Sequence, residues 1–301
     1  MTSHPSIGQL ATLACILEAT APKPGNVHPG AMFSDLKFRH FLASAIAIGP
    51  HMELARFLGV GQTVLDAITS TQQCVSTNTN LGMVLLLAPL AAVPREQSVE
   101  QGINKVLSLL NAKDSQQVYA AINLAKPGGM GTSHSHDLSA PAPDNLLWAM
   151  QAASDRDMVA RQYCNDFADV IHFIAPRIAE LSSDGHDLLT VIVATHVEVM
   201  SKFPDSLIAR KCGTDVADQA ARRAANVLAA GPIGSTAYHS ALRELDSWLR
   251  ADQHLRNPGT SADLATAGIF VALRDLNVNL KATSMFSNAS PFLQHDQSTS
   301  L

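Results

Sequence analysis

The chain has 301 residues, of which 47% are hydrophobic and 16% are charged, and its formal net charge is -5 at pH 7. Such a chain can bury a large core, as one large domain or two tightly packed ones, and this composition excludes an intrinsically disordered protein. No run of lysine and arginine occurs, so we expect no nucleic-acid partner, whereas a phosphorylated small molecule needs only a few local cations.

Apolar residues recur with helical spacing along most of the chain. In the first segment Ile7, Leu10, Ala11, Ala14 and Leu17 follow the i, i+3, i+4, i+7 pattern of an amphipathic helix. Further helices are predicted around 41–46 and at 81–92, 98–111, 115–125, 144–152, 156–181, 186–203, 214–230, 236–254 and 261–278. Strand patterns are nearly absent, since alternation of β-branched residues never lasts and aromatic residues make up only 5% of the chain. The sequence therefore predicts an all-α fold, an orthogonal multi-helix bundle.

The predicted helices suggest the domain organisation and the helix caps. One helical domain is expected over residues 1–285, and the polar tail over 286–301 is expected to be frayed. The candidate N-caps are Asp114, Ser154 with Asp155, Thr214, and Thr260 or Ser261. The most apolar stretch, 188–200, is too short to span a bilayer and is interpreted as a central buried helix.

The amino terminus lacks a secretory leader, and the four cysteines show neither metal-type nor redox-type spacing. We therefore expect a cytoplasmic protein with reduced thiols and no membrane association. The sequence leaves a homo-oligomer possible.

A stiff loop follows the first predicted helix, where Pro22-Lys23-Pro24-Gly25 begins. The prolines fix their own φ angles and remove two backbone donors, and the glycine allows a sharp turn. Glu18 lies less than two helical turns upstream of the lysine. The segment can be a simple helix stop, but such rigidity also suits a binding site.

Similar polar, glycine-rich segments recur at other predicted helix starts, which favours the second interpretation. They are Asn78-Thr79-Asn80-Leu81-Gly82, the stretch from Lys126 through Gly128 and Gly129 to His136-Asp137, and the stretch from Asn257 to Asp263. The sequence predicts that these segments converge on one pocket.

The polar segments form part of an ordered set of motifs. The set comprises Glu18, Pro22-Lys23-Pro24-Gly25, Asn78-Thr79 before Leu81-Gly82, Gly128-Gly129 with His136-Asp137, Asp205-Ser206 with Arg210 and Gly213, and Gly259 with Ser261-Ala262-Asp263. This set resembles the triphosphoribosyl-dephospho-CoA synthases over about residues 7–280. The resemblance implies an all-helical enzyme that uses ATP as a substrate. The 2′-hydroxyl of 3′-dephospho-CoA attacks C1′ of the ATP ribose, and adenine leaves while the triphosphate stays on the transferred sugar.

This reaction assigns candidate roles to residues. A ribose that loses its base develops positive charge, so carboxylates are needed near C1′, and Glu18, Asp35 and Asp137 are the candidates. His136 or Glu18 could act as the general base for the attacking hydroxyl. The remaining candidate nucleotide contacts are Lys23, Pro24, Gly25, Asn78, Thr79, Asn80, Gly82, Gly128, Gly129, Asp205, Arg210 and Ser261.

Magnesium is expected with a triphosphate, because it binds oxygen ligands, commonly one or two carboxylates together with phosphate oxygens. The candidate ligands are Asp35, Asp137, Asp205 and Asp263. Two of them have structural alternatives, since Asp205 could simply pair with Arg210 and Asp263 could simply be an acidic residue in the first turn of a helix.

The chain departs from the family pattern in two places. Residues 30–36 lack a histidine before Asp35, and Asn80 stands where a histidine often follows Asn-Thr. A branch with the same donor chemistry and a different acceptor is therefore left open. Two other classes are also left open: a magnesium-dependent N-glycosidase resembling the ADP-ribosyl glycohydrolases, and a non-catalytic helical scaffold.

Overall fold

A computed structural model of the protein describes residues 4–126 and 142–278. These ranges contain α-helices and one π-helical segment, Val170–Ile174, and no strand beyond an isolated bridge between His28 and Ala31. The all-α prediction is confirmed. The helices are α1 (Ile7–Thr20), α2 (Phe38–Glu53), α3 (Ala55–Leu58), α4 (Val60–Cys74), α5 (Leu81–Ala92), α6 (Val99–Ser108), α7 (Ala112–Ala125), α8 (Leu146–Ala153), α9 (Met158–Cys164), α10 (Ala175–Ser183), α11 (Leu188–Lys202), α12 (Ser206–Cys212), α13 (Thr214–Ala229), α14 (Thr236–Arg250) and α15 (Gly259–Asp275).

The single helix predicted over 156–181 is wrong, because the chain breaks after α9. Asp166 and Phe167 have φ angles of 54° and 60°, in the left-handed region that a right-handed helix cannot include. The break sends the Phe167 ring, which is completely buried, into the core beside the Tyr163 ring. Burial of this large aromatic side chain offsets the backbone strain. The periodicity of the sequence does not reveal the break, because it does not show where the ring packs.

Several predicted N-caps are also wrong. Asn111, Gly213 and Pro258 are capping positions that precede the residues the sequence suggested, whereas Asp157 follows the suggested Ser154 and Asp155. Asp114 instead occupies the third helical position of α7, where its carboxylate accepts from the Asn111 backbone N–H in a capping box. The sequence analysis predicted no helix at the positions of α3, α4 and α12.

The core is built around α5, α11 and α15. Nearly every side chain of α5 is buried, and α11 is the buried central helix that the sequence predicted. Helix α15 packs against α1, α5, α10 and α11, so it lies between the amino-terminal and carboxy-terminal halves of the chain. This packing brings the end of α1 and the starts of α5 and α15 to the same place.

In 4–126 and 142–278 no helix has the length and apolarity that crossing a bilayer requires. All four cysteines are free, and Cys15 is buried in α1.

Candidate active site

The lysine of the first loop turns back toward the end of α1. Its Nζ lies 2.9 Å from Glu18 Oε1, and it also donates to the backbone oxygens of Glu18 and Ala21. Lys23 is completely buried and Glu18 is only 3% exposed. An ammonium group has three donors, so Lys23 uses all of them inside the chain and presents no free charge to a phosphate in this conformation.

The buried pair has an electrostatic cost that the geometry only partly offsets. Burial raises the pKa of Glu18 above its usual value, although the Lys23 ammonium acts in the opposite direction. A carboxylate with a raised pKa is a stronger base than an exposed one. Lys23 therefore holds the Glu18 carboxylate in place and balances its negative charge.

The first loop is fastened to the carboxy-terminal part of the chain. Gly25, with a φ angle of 75°, donates its N–H to Asp246 Oδ1 at 2.8 Å. Arg250 binds that same oxygen at 2.8 Å and the Asn26 backbone oxygen at 2.5 Å, and the Asn26 amide donates to Asn257 at 2.8 Å. These bonds hold the loop against the segment before α15.

Gly25 and Pro24 are both buried in this arrangement. A Cβ at Gly25 would lie 2.9 Å from both Leu249 Cβ and Pro258 Cδ, so glycine is required here both for its φ angle and for space. Pro24 and Gly25 thus shape the loop.

His28 closes the same loop. It is buried, and its Nδ1 accepts the Gly30 N–H at 3.2 Å. Burial, together with the nearby Arg250 and Lys23 charges, lowers the pKa of His28 to about 4. The ring is therefore neutral at neutral pH.

The second predicted segment lies at the start of α5. Asn78 Oδ1 accepts the Leu81 N–H at 3.1 Å, and the Thr79 hydroxyl lies 2.5 Å from that of Ser44 in α2. Asn80 is buried and donates its amide to Thr71 at 3.1 Å. Within the described ranges Asn80 Oδ1 has no hydrogen-bond partner. A buried acceptor without a donor is unusual in a folded protein and marks this position as a candidate ligand contact.

The starts of α5 and α15 meet at Gly82 and Asp263. A Cβ at Gly82 would lie 2.5 Å from the carboxyl carbon of Asp263, so only glycine admits the carboxylate here. In the part of the chain that the structure describes, no ion pair or hydrogen bond engages Asp263. Burial raises its pKa well above the usual value, and the Glu18 and Asp205 carboxylates raise it further.

Gly82→Ala tests this close approach. The added methyl group would push Asp263 away from α5, so we expect the free energy of unfolding to fall by about 1–3 kcal/mol, as for overpacked interiors. Urea unfolding followed by circular dichroism measures the effect. The double variant Gly82→Ala/Asp263→Gly should recover most of the loss, because it removes the side chain that the methyl group meets. Equal destabilisation of the single and double variants would contradict the contact.

Asp205 joins the starts of α12 and α15. Its Oδ1 accepts the Leu207 and Ile208 N–H groups at 2.9 and 3.0 Å as an N-cap, and its Oδ2 accepts the Ser261 N–H and hydroxyl at 2.7 and 2.8 Å. Burial raises its pKa even though four donors stabilise the charged form. The proposed pairing of Asp205 with Arg210 is wrong, because Arg210 binds Asp157 at 2.5 Å.

Asp205→Asn is expected to destabilise the protein by about 1–3 kcal/mol. The asparagine can still cap α12 through its oxygen, but its amide meets the Ser261 N–H, and two donors then face each other in a buried place. Thermal melting measures the change. Asp187 caps α11 through contacts with Thr190 alone, so Asp187→Asn should cost much less and serves as the control. Similar losses in both variants would show that Asp205 is only a cap.

The other predicted residues have different positions. The Asp35 carboxylate is 62% exposed and lies 3.7 Å from His254 Nε2, at the outer rim. His136, Asp137, Gly128 and Gly129 lie outside the described residues.

His196 of α11 is completely buried. Burial and the Lys23 charge lower its pKa, whereas the Ser261 backbone acts in the opposite direction. Three of the four segments predicted to converge, those at Glu18, Asn80 and Asp263, thus lie close together, and Asp205 lies beside them. Among the residues that the sequence analysis missed are Asp246 and Arg250, which fasten the first loop, and Lys211, whose only signal was its place beside Arg210.

The end of α1 and the starts of α12 and α15 bring three carboxylates together, and such a cluster in an all-helical fold is typical of an enzyme that acts on a small charged molecule. Residues 4–281 match the family model of the ATP:dephospho-CoA triphosphoribosyl transferases, and the chain belongs to this family. Its activity is the transfer of the triphosphoribosyl group of ATP to dephospho-CoA in cofactor biosynthesis, and neither the N-glycosidase nor the scaffold alternative finds support.

A solved structure agrees with the family assignment. The chain is similar to a protein from Archaeoglobus fulgidus that is described as a triphosphoribosyl-dephospho-CoA synthase, with 25% sequence identity and a TM-score of 0.61. The similarity covers 77% of this chain and 97% of the archaeal one. Among the curated proteins, no sequence gives a significant match.

Proposed function

We propose that ribosyl transfer takes place between the end of α1 and the starts of α5 and α15, with C1′ of the ATP ribose close to Glu18 and Asp263. The observation that carries this proposal is the Asp263 carboxylate, which is half-buried, lies near a second carboxylate and meets no donor in the described ranges. The Glu18 charge raises the pKa of Asp263 further, and a positive charge beside the two carboxylates would relieve this repulsion. An oxocarbenium-like ribose is such a charge.

The reaction breaks one bond and forms another at C1′. The C1′–N9 bond of ATP breaks, and its electron pair leaves with adenine, which takes up a proton. The 2′-hydroxyl oxygen of dephospho-CoA bonds to C1′ and loses its proton to a base. In this proposal Asp263 stabilises the positive charge on the ribose. Glu18, held by Lys23, either shares that role or accepts the proton. Proton transfer to a well-placed base typically raises the rate about 10²–10⁴-fold.

The general base has a second candidate. His136 keeps the role that the resemblance assigns to it, and Asp137 and Asp35 stay candidate carboxylates for C1′ or for a metal. Asp205 and Ser261 are proposed to act indirectly, because their mutual hydrogen bonds fix the first turn of α15 and thereby the position of Asp263.

The residues at the start of α5 and α15 fit a magnesium ion. No group of three or more histidine, cysteine, aspartate or glutamate side chains suited to a metal occurs in 4–126 and 142–278. Magnesium, however, commonly needs only one or two carboxylates when a nucleotide supplies the other oxygens. The Asp263 carboxylate and the unpartnered amide oxygen of Asn80 are the ligands that we propose. When bound, the ion would neutralise phosphate charge, and Asp263 would then orient ATP.

The acceptor is proposed to be 3′-dephospho-CoA, in accord with the family. The departures at Asn80 and before Asp35 lie in or beside the site, so a related acceptor is the second candidate. The use of ATP as donor supports a cytoplasmic location.

Incubation with ATP, magnesium and dephospho-CoA tests the proposal. Mass analysis should find free adenine and an acceptor whose mass has risen by one triphosphoribosyl group. Adenine release that needs no acceptor would indicate a hydrolase instead. If adenine appears with a different hydroxyl compound in place of dephospho-CoA, the donor chemistry stands and the acceptor is wrong. No adenine under any condition would contradict the proposal.

A further inference from the structure

Four cationic side chains surround the site in the described part of the chain, and three of them are already neutralised. Lys23 is bound to Glu18, and Arg210 is bound to Asp157 at 2.5 Å. Arg250 is bound to Asp246 at 2.8 Å and to a backbone oxygen, and it lies over the Phe33 ring. These three cations therefore position parts of the protein and have little charge left for a ligand.

The fourth cation, Lys211, is different. It lies in the last turn of α12 and is half-buried, and its Nζ donates only to the His254 backbone oxygen, at 3.3 Å. A neutral carbonyl at this distance uses one of three donors and compensates none of the charge. No carboxylate within 4.0 Å pairs with it in the ranges 4–126 and 142–278.

The surroundings of Lys211 place it at the rim of the same site. The charges of Asp205 and Asp35 raise the pKa of Lys211, and the charge of Arg210 lowers it. The Asp205 carboxylate already accepts four hydrogen bonds, and the Asp35 carboxylate is exposed and lies beside His254. Burial outweighs these attractions and lowers the pKa of Lys211, as expected for a cation that lacks a counter-ion.

We propose that the Lys211 ammonium binds phosphate oxygens of a nucleotide substrate at the rim of this site. A phosphate would give the half-buried ammonium its missing counter-charge through strong charge-assisted hydrogen bonds. This inference rests on the proposed function and transfers to Lys211 the role that the sequence assigned to Lys23. Both substrates contain such groups, since ATP supplies a triphosphate and dephospho-CoA a diphosphate.

Calorimetric titration with inorganic tripolyphosphate and with pyrophosphate, without other substrates, tests the binding directly. Lys211→Met should weaken binding of at least one probe by about tenfold or more, and Lys211→Arg, which keeps the charge, should retain most of it. Lys113→Met, at an exposed lysine in the first turn of α7, is the matched control and should bind as the wild type does. Thermal melting verifies that each variant folds, and Lys211→Gln replaces the methionine variant if that one does not.

Steady-state kinetics then distinguish the two sources of phosphate. A higher KM for ATP alone assigns Lys211 to the triphosphate, and a higher KM for dephospho-CoA alone assigns it to the acceptor. Wild-type affinity for both probes in Lys211→Met, or no binding of either probe by the wild type, would overturn the inference. A wild-type protein that binds the probes but releases no adenine would instead contradict the proposed function and leave the Lys211 site standing.

Discussion

Asp263→Asn is expected to abolish most adenine release and at the same time to make the folded protein more stable at neutral pH. The carboxylate has no donor in the described part of the chain, and it lies near Glu18 and Asp205, so its charge is unfavourable in the folded state. Asparagine has the same shape and removes that charge. Loss of one preorganised electrostatic group at C1′ should reduce turnover about 10²–10³-fold, while stability should rise by about 1 kcal/mol or more.

The pH dependence of this gain follows from the raised pKa. A carboxyl group whose pKa is higher in the folded than in the unfolded chain favours folding when protonated and opposes it once ionised. Asp263 therefore costs stability as pH rises above its usual value of 3.8 and through its raised folded value. We expect the stabilisation by Asp263→Asn to grow as pH rises from about 4 and to disappear as pH falls back toward 4.

Urea unfolding of the wild type and the variant across this pH range, with adenine release measured on the same samples, gives both quantities. Asp218→Asn, at an exposed position on α13, is the control and should change neither. A variant that loses stability, or keeps full turnover, would show that Asp263 is a structural residue of the α15 start.

Lys23→Met is expected to be the most destabilising single substitution in the first loop. It leaves the Glu18 carboxylate buried without its counter-ion, and removal of one partner from a buried pair typically costs about 3–5 kcal/mol. Turnover should fall about 10²-fold or more, because Glu18 loses the group that fixes it. The loss of stability should be smaller at pH 5 than at pH 8, since the pKa of Glu18 is already raised by burial and protonation removes the unpaired charge.

The double variant Lys23→Met/Glu18→Gln separates the two effects. It replaces the ion pair by two uncharged groups of similar size, so most of the lost stability should return. Turnover should not return, because the carboxylate proposed near C1′ is gone. Recovery of turnover in the double variant would show that the pair is only a structural element. Near wild-type stability of the single variant Lys23→Met would contradict the buried ion pair itself.

Much of the fold could be predicted because it depends on local regularities. The apolar spacing predicted α1, α5 and the buried α11, and the low aromatic content together with the lack of alternation excluded sheets. The prolines and glycine after α1 predicted a rigid loop, and the helix starts near Asn80 and Ser261 were recognised as polar segments with a common role. The break at Asp166 and Phe167 was not predictable, because burial of the Phe167 ring in the tertiary core decides it.

The roles within the site depended on contacts between residues far apart in the sequence. The motif order alone identified the family, the helical class and the segments that meet, because these follow from residue types and their spacing. Only the tertiary structure decided that Lys23 turns inward to Glu18. It also decided that Asp205 binds Ser261, while Arg210 pairs with Asp157. Likewise, only the structure showed that Asp263 has no donor among the described residues. The reason is physical: periodicity fixes which face of a helix is buried, whereas the partner of a charged side chain depends on which groups packing brings within about 3 Å.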